Sequence, residues 1–399
     1  MLTSLALIIL AGLAMGAVCA KLKLPKIIGM LATGIVLGPY VLNLLDPTIL
    51  SVSAELRKIA LIIILLKAGL SLDLDDLKKV GRPAILLSFV PASCEMIAYV
   101  LFAPEILGVT KAEAAVMGAV LSAVSPAVVV PRMVQYIDTK WGTKKAIPQM
   151  IMAGASCDDI FVIVLFTTFL GVVQGGNANL KAFADIPISI LTGITAGCIM
   201  GGLLYLFFET AYARKNYVRN SMKVIIILGA AFLLNSIEEQ LDGVVALSGL
   251  LAVVSMACVL KKKSPVFVSK RLSEKFGKLW LAAEVVLFVL VGAAVDIRYT
   301  VVAGFSSVVM ILTALLIRSA GVLLCTVKTD LSWKERIFCV IAYLPKATVQ
   351  AAIGSVPLAA GLSCGKIVLS VAVMAIVITA PLGALGMDCS YKKLLEKEN

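Results

Sequence analysis

The 399-residue chain contains no histidine. The side chain that most often changes charge near neutral pH is therefore missing, and proton chemistry falls to carboxylates and lysines. Charge is also scarce. Asp, Glu, Lys and Arg make up 15% of the residues against 60% hydrophobic, whereas a soluble surface needs roughly 25% charged residues. Together with a mean hydropathy of +1.03, this excludes an array of soluble domains and leaves a polytopic membrane protein. The nine cysteines include no Cys-x-x-Cys pair and mostly sit inside apolar runs, so they read as small buried residues. There is no nucleophile elbow and no metal-ligand cluster, which removes the usual carriers of hydrolytic or redox chemistry and argues against an enzyme with a bound cofactor. No filter-like carbonyl run or pore-helix signature points to a channel. No basic segment precedes Leu2 to Ala20, so that run reads as a first transmembrane helix rather than a cleaved signal.

What is present is a succession of apolar runs of bilayer-spanning length. Thirteen spans are expected, at roughly 2–20, 27–45, 55–72, 83–103, 112–134, 146–173, 186–208, 221–237, 242–260, 277–295, 300–327, 335–357 and 366–387, each boundary uncertain by about four residues. The basic residues check the count. The odd-numbered connectors and the C-terminal tail hold 27 Lys and Arg, the even-numbered connectors 6, and Lys67, Arg318 and Lys346 lie inside spans. Missing one span would scramble that alternation, so the positive-inside rule puts the N-terminus outside and the C-terminus in the cytoplasm. The formal charge of +12 thus reports orientation in a cell membrane and not a nucleic-acid partner. Seven of the basic residues lie between Lys261 and Lys278. That connector either meets anionic lipid head groups or is a plain positive-inside loop.

Thirteen spans divide as six, a linker helix and six. The eighth then enters from the opposite face to the first, which is the arithmetic of inverted repeats. Matching landmarks recur in the halves: span four carries Glu95 and span eleven Arg318, while span five is broken at Ser125-Pro126 and span twelve at Pro345-Lys346. Paired broken helices point to a transporter's binding site. The expected fold is all-α, with thirteen transmembrane helices in two inverted six-helix repeats with crossed discontinuous helices.

A charge at the bilayer centre costs about 2.5–3.5 kcal/mol on the insertion scale, so Glu95, Asp158, Asp159, Arg318 and Lys346 together represent on the order of 15 kcal/mol that packing must offset. Asp158 and Asp159 fall in the middle of span six. They project about 100° apart, and both can border one crossing point. Burial and mutual repulsion oppose two bare charges there, which makes a site for either a proton or a small hard cation. Ser156 shares the face of Asp159, and Ser125 lies at the break of span five. The alternative is a carboxylate pair locked to Arg318 and Lys346. Lys346 either neutralises carbonyl ends where the two breaks meet or is a purely structural cation, and Glu95 with Arg318 forms an ion pair that fixes the core. Lys67, six residues before Asp73, reads as a snorkelling side chain, Glu284 as a residue near an interface, and Gly34-x-x-x-Gly38 as a packing motif.

These landmarks, with Leu24-Pro25-Lys26-Ile27-Ile28-Gly29, Thr33-Gly34-Ile35-Val36-Leu37-Gly38-Pro39, Gly69-Leu70-Ser71-Leu72-Asp73, Ser125-Pro126-Ala127-Val128-Val129-Val130-Pro131, Ser156-Cys157-Asp158-Asp159 and Pro345-Lys346-Ala347-Thr348-Val349-Gln350-Ala351-Ala352, run across nearly the whole chain. Over that length it resembles the monovalent cation/proton antiporters of the sodium/hydrogen exchanger superfamily. Glu95 and Arg318 make it similar to the NHA-type branch, which carries arginine where other paired-aspartate members have lysine. The resemblance implies a homodimer in which a mobile core moves elevator-fashion. It assigns residues 1–80 and 216–297 to dimerisation-domain helices, 81–175 and 298–388 to the core, 176–215 to linker helix seven and 389–399 to a short cytoplasmic tail. It also implies sodium and lithium as substrates, with Asp159 as principal carrier of cation and proton and Asp158 supporting it. Because Arg318 does not release a proton, one-for-one electroneutral exchange is the expectation. Two rivals share the architecture: potassium/proton exchange, since a carboxylate pair does not reveal ion radius, and sodium-coupled symport of an organic anion.

Overall fold

Residues 1–22, 24–71, 81–174, 180–213, 218–241, 247–297 and 304–398 are described by a computed structural model, with side chains at all of these except 71, 156 and 180–187. Lys23, Leu72, Asp73, Lys78 and Lys79 therefore lie outside the described residues, as does the side chain of Ser156.

The described chain is helical throughout: α1 (Leu2–Lys21), α2 (Lys26–Leu37), α3 (Pro47–Ser51), α4 (Ser53–Ser71), α5 (Arg82–Leu87), α6 (Val90–Leu107), α7 (Lys111–Leu121), α8 (Pro126–Asp138), α9 (Ile147–Gln174), α10 (Leu180–Ala213), α11 (Asn220–Leu241), α12 (Gly249–Lys263), α13 (Val266–Ala293), α14 (Gly304–Cys325), α15 (Trp333–Ala342), α16 (Thr348–Gly354), α17 (Val356–Ala359) and α18 (Gly365–Leu394). Among the described residues there is no strand, only an isolated bridge between Trp141 and Lys397. Nine helical stretches there are long and apolar enough to cross a membrane, which makes this a multi-pass membrane protein. At the other four expected segments stand α2 with 12 residues, α12 with 15, the more charged α4, and the interrupted pair α15 and α16.

Local sequence explains where several helices start and stop. Thr110 and Glu113 form a capping box at the head of α7, and Ser332 and Glu335 form another at the head of α15. The stretch 261–278, expected as a connector, breaks at Ser264-Pro265 and is helical from Val266 onward. The reason is spacing: Lys270, Glu274 and Lys278 recur at four-residue intervals, which supports a helix through paired charges.

The chain divides into two compact units. One comprises Met1–Arg57, Asp73–Phe169 and Val285–Asn399, the other Lys58–Leu72 and Leu170–Glu284. Within the first, α6 packs on both α7 and α14, and α18 packs on α15. Helix α2 approaches α13 backbone to backbone. A Cβ at Gly34 would lie 2.7 Å from the Val289 carbonyl carbon and 2.9 Å from the Ala293 nitrogen, so no larger residue fits there without separating the helices. The core of this unit is not purely apolar, for Arg318 and Lys346 are among its largest fully buried side chains. In the second unit, α10 lays Gly193, Gly197 and Gly201 along Ser248, Ala252 and Met256 of α12, the close approach that small residues permit between membrane helices.

Candidate functional site

Two helices of the first unit are interrupted in mid-course. Helix α7 ends at Leu121 and α8 begins at Pro126, while α15 ends at Ala342 and α16 begins at Thr348. Proline is the local cause, because it lacks an N–H and drives the preceding residue to extended backbone. Ser125 accordingly sits at φ −92°, ψ 107°. Each break exposes carbonyls at the end of one half-helix and N–H groups at the start of the next. The two breaks meet, with the Ser125 N–H donating to the Pro345 carbonyl at 2.8 Å.

Buried side chains satisfy many of the backbone groups left over. Arg318, from α14, donates through Nε to the Tyr343 carbonyl at 2.8 Å and through Nη1 to the Ser122 carbonyl. The same Nη1 lies 2.8 Å from Glu95 Oε2, so one guanidinium ties α6 to both broken helices. Lys346 Nζ meets the Leu121 carbonyl at the end of α7 and both oxygens of Glu95, at 2.7 and 2.8 Å. Its backbone N–H donates to Thr379 Oγ1 at 2.9 Å. Gln350 closes the crossing: its amide donates to the Ala123 carbonyl at 2.7 Å while its Oε1 accepts the Ala347 N–H at 2.8 Å. Both positive side chains therefore converge on Glu95. In a low dielectric this pairing makes a buried charge tolerable.

Asp158 and Asp159 lie on α9. Asp158 Oδ2 accepts the Val124 N–H at 2.6 Å and stands 3.5 Å from Arg318 Nη2. Asp158 Oδ1, Asp159 Oδ1 and Ser125 Oγ are buried without a hydrogen-bond partner. Glu95 and Asp158 are fully buried, but Asp159 retains 8% of its surface. Counting formal charges, Glu95 and Asp158 cancel Arg318 and Lys346. Among the described residues no cation sits on Asp159, which keeps a small exposed fraction. Its unpartnered oxygen, like those of Asp158 and Ser125, is a hard donor of the kind that suits an alkali cation.

Of the residues singled out from sequence, Glu95, Ser125, Asp158, Arg318 and Lys346 are joined here by direct contacts or through adjacent backbone. Asp159 adjoins them on α9, and Ser156 precedes Asp158 on the same helix. Lys67 and Glu284 belong to the second unit. Sequence reasoning missed Gln350, Thr379 and Tyr343. Gln350 carried a signal, as a polar residue in an apolar run just after the break at Pro345-Lys346. Thr379 carried none.

Comparison with known proteins gives consistent results. A family profile described as sodium/hydrogen exchanger, transmembrane, matches residues 5–387. The sodium/hydrogen exchanger 9B2 of Xenopus tropicalis is 32% identical over 361 residues, covering 86% of this chain and 64% of that protein. Its human counterpart is 33% identical over 388 residues, covering 94% and 70%. The chain thus spans about two thirds of the length of these curated relatives. The solved structure of the sodium proton antiporter MjNhaP1 from Methanocaldococcus jannaschii superposes with a TM-score of 0.83 over 98% of both chains at 20% identity, a likeness of fold.

Proposed function

The chain belongs to the sodium/hydrogen exchanger family, and from that premise we propose that it is a cation/proton antiporter exchanging sodium or lithium for protons at Asp159. Asp159 itself carries the proposal. Among the described residues it is the carboxylate at the crossing with no cationic partner, an unpartnered oxygen and residual exposure. A sodium or lithium ion is held by Asp159 with Asp158 Oδ1 and Ser125 Oγ beside it, and the Ser156 hydroxyl on the same helix is a further ligand. A proton on Asp159 removes the charge that holds the cation, so the two compete and binding one releases the other.

Charge also supplies the coupling. With Asp159 neutralised by either ligand, the formal charges of the five ionisable groups sum to zero. With Asp159 bare, one uncompensated charge remains, at about 2.5–3.5 kcal/mol for the bilayer centre on the insertion scale. The core crosses when loaded and not when empty. Because the site gains one positive charge in either direction, exchange is one for one and electroneutral.

Around this site we assign thirteen crossings in two inverted repeats, N-terminus outside and C-terminus in the cytoplasm, a homodimer, and elevator-type movement of the core. The matching capping boxes that open the first halves of the two broken helices support the repeat. Arg219, Arg271, Lys275 and Lys278 line one cleft, which supports contact with anionic lipid.

The test is proton movement in proteoliposomes containing a pH-sensitive dye, on addition of sodium, lithium or potassium, with the membrane potential clamped and then free. Sodium- or lithium-driven proton flux that ignores the potential is the expected result. A response confined to potassium reassigns the substrate, potential-sensitive flux ends the one-for-one stoichiometry, and silence with all three cations from folded protein ends the antiporter.

A further inference from the structure

Tyr343 caps the C-terminal end of α15, buried to 1% exposure, and its carbonyl already serves Arg318. Its phenol hydroxyl has no hydrogen-bond partner although it is fully enclosed. Leaving a buried hydroxyl unpaired is unfavourable, so its position calls for a partner. The hydroxyl reaches the backbone of α9 at Gly154, where a Cβ would collide with it. Gly154 is one turn before Asp158 on the same face. Helical side chains tilt toward the N-terminus and cover the preceding turn, so the Asp158 carboxyl overlies the turn that Gly154 opens to the phenol. Another acceptor beside Gly154 is the Ala84 carbonyl, which already takes the Ser88 hydroxyl at 2.9 Å. Asp158 Oδ1 has no partner.

We propose that Tyr343 is a positioning residue for the cation site, its hydroxyl donating through one bridging water to Asp158 Oδ1 and so orienting that carboxylate toward the ion held by Asp159. The inference deepens the antiporter reading and rests on it. Asp158 is then held on both oxygens, by Val124 N–H and Arg318 on one side and by Tyr343 on the other. Gly154 is required because any side chain there displaces the phenol.

Tyr343→Phe removes the oxygen and keeps the ring. In proteoliposomes the sodium KM is expected to rise about tenfold with kcat within twofold of the parent, and the melting temperature in detergent is expected to stay close to the parent's, because the ring packing is kept and only one hydrogen bond is lost. Gly154→Ala, which occupies the hydroxyl's space from the other helix, is expected to raise KM in the same way. An unchanged KM in folded Tyr343→Phe overturns the proposal. So does a fall in melting temperature with KM unchanged, which is the signature of a hydroxyl that only packs. Unmodified protein is measured alongside, and if it moves no protons with sodium the antiporter reading fails first. If it is active and the Phe variant matches it, only the role of Tyr343 fails.

Discussion

Glu95 receives two cations, and that one carboxylate explains much of the chemistry at the crossing. Arg318 and Lys346 each offer it a donor while also donating to carbonyls of the broken helices. Such clusters are weak evidence for stability as a whole, yet removing one member is costly because it strands the others. Arg318→Ala leaves Glu95 with Lys346 but abandons the Ser122 and Tyr343 carbonyls and uncovers Asp158. The expected loss is about 3–5 kcal/mol, read as a lower melting temperature in detergent, and an unchanged melting curve contradicts the arrangement. Asp159→Asn acts differently. It removes a charge that no cation pairs, so the folded protein is expected to survive, with an unaltered gel-filtration profile, while sodium-driven proton flux in proteoliposomes disappears. Glu95, Arg318, Asp158, Asp159 and Lys346 were all legible in sequence because a charge in an apolar run is conspicuous. The choice of Glu95 as the partner of Lys346 was not legible, because the repeat matched Glu95 to Arg318 and Lys346 to the break of span five.

At the scale of elements, the breaks in the two crossed helices are the functional feature and the caps are what make them affordable to fold. Helices α7 and α15 are only 11 and 10 residues long, and isolated helices of that length are marginal. Each begins with a reciprocal cap, and each cap is fastened to another segment. Glu113 accepts the Ser363 hydroxyl at 2.5 Å and Glu335 the Lys145 ammonium at 2.8 Å. Thr110→Ala or Ser332→Ala should therefore each cost about 1 kcal/mol, measured by thermal unfolding, and a neutral result at both would deny the caps their role. Gly34→Leu tests packing instead. With Val289 and Ala293 backbone against it, the side chain forces α2 away from α13, at a cost of about 3 kcal/mol or more, and poor recovery of folded protein is the expected readout. The proline breaks and the cap sequences could be read directly. The seam of α2 against α13 could not, because Gly-x-x-x-Gly names a face without naming what lies on it.

For the whole molecule, the alternation of basic residues predicts that the chain's two ends lie on opposite sides of the membrane. In a cysteine-free background, Leu2→Cys should react with an impermeant thiol reagent applied from outside, and Lys393→Cys only after permeabilisation. Reaction of both from one side would require an even number of crossings. Sequence by itself determined that this is a helical, multi-pass membrane protein, because backbone in lipid must satisfy its own hydrogen bonds and apolar length is visible residue by residue. It also placed the ionisable residues that matter, since the bilayer makes any idle charge expensive. Tertiary structure alone decided which charges cancel. Pairing depends on distances between segments far apart in the chain, and those distances leave Glu95 between two cations, Asp158 against the Val124 N–H and Arg318, and Asp159 without a cationic partner.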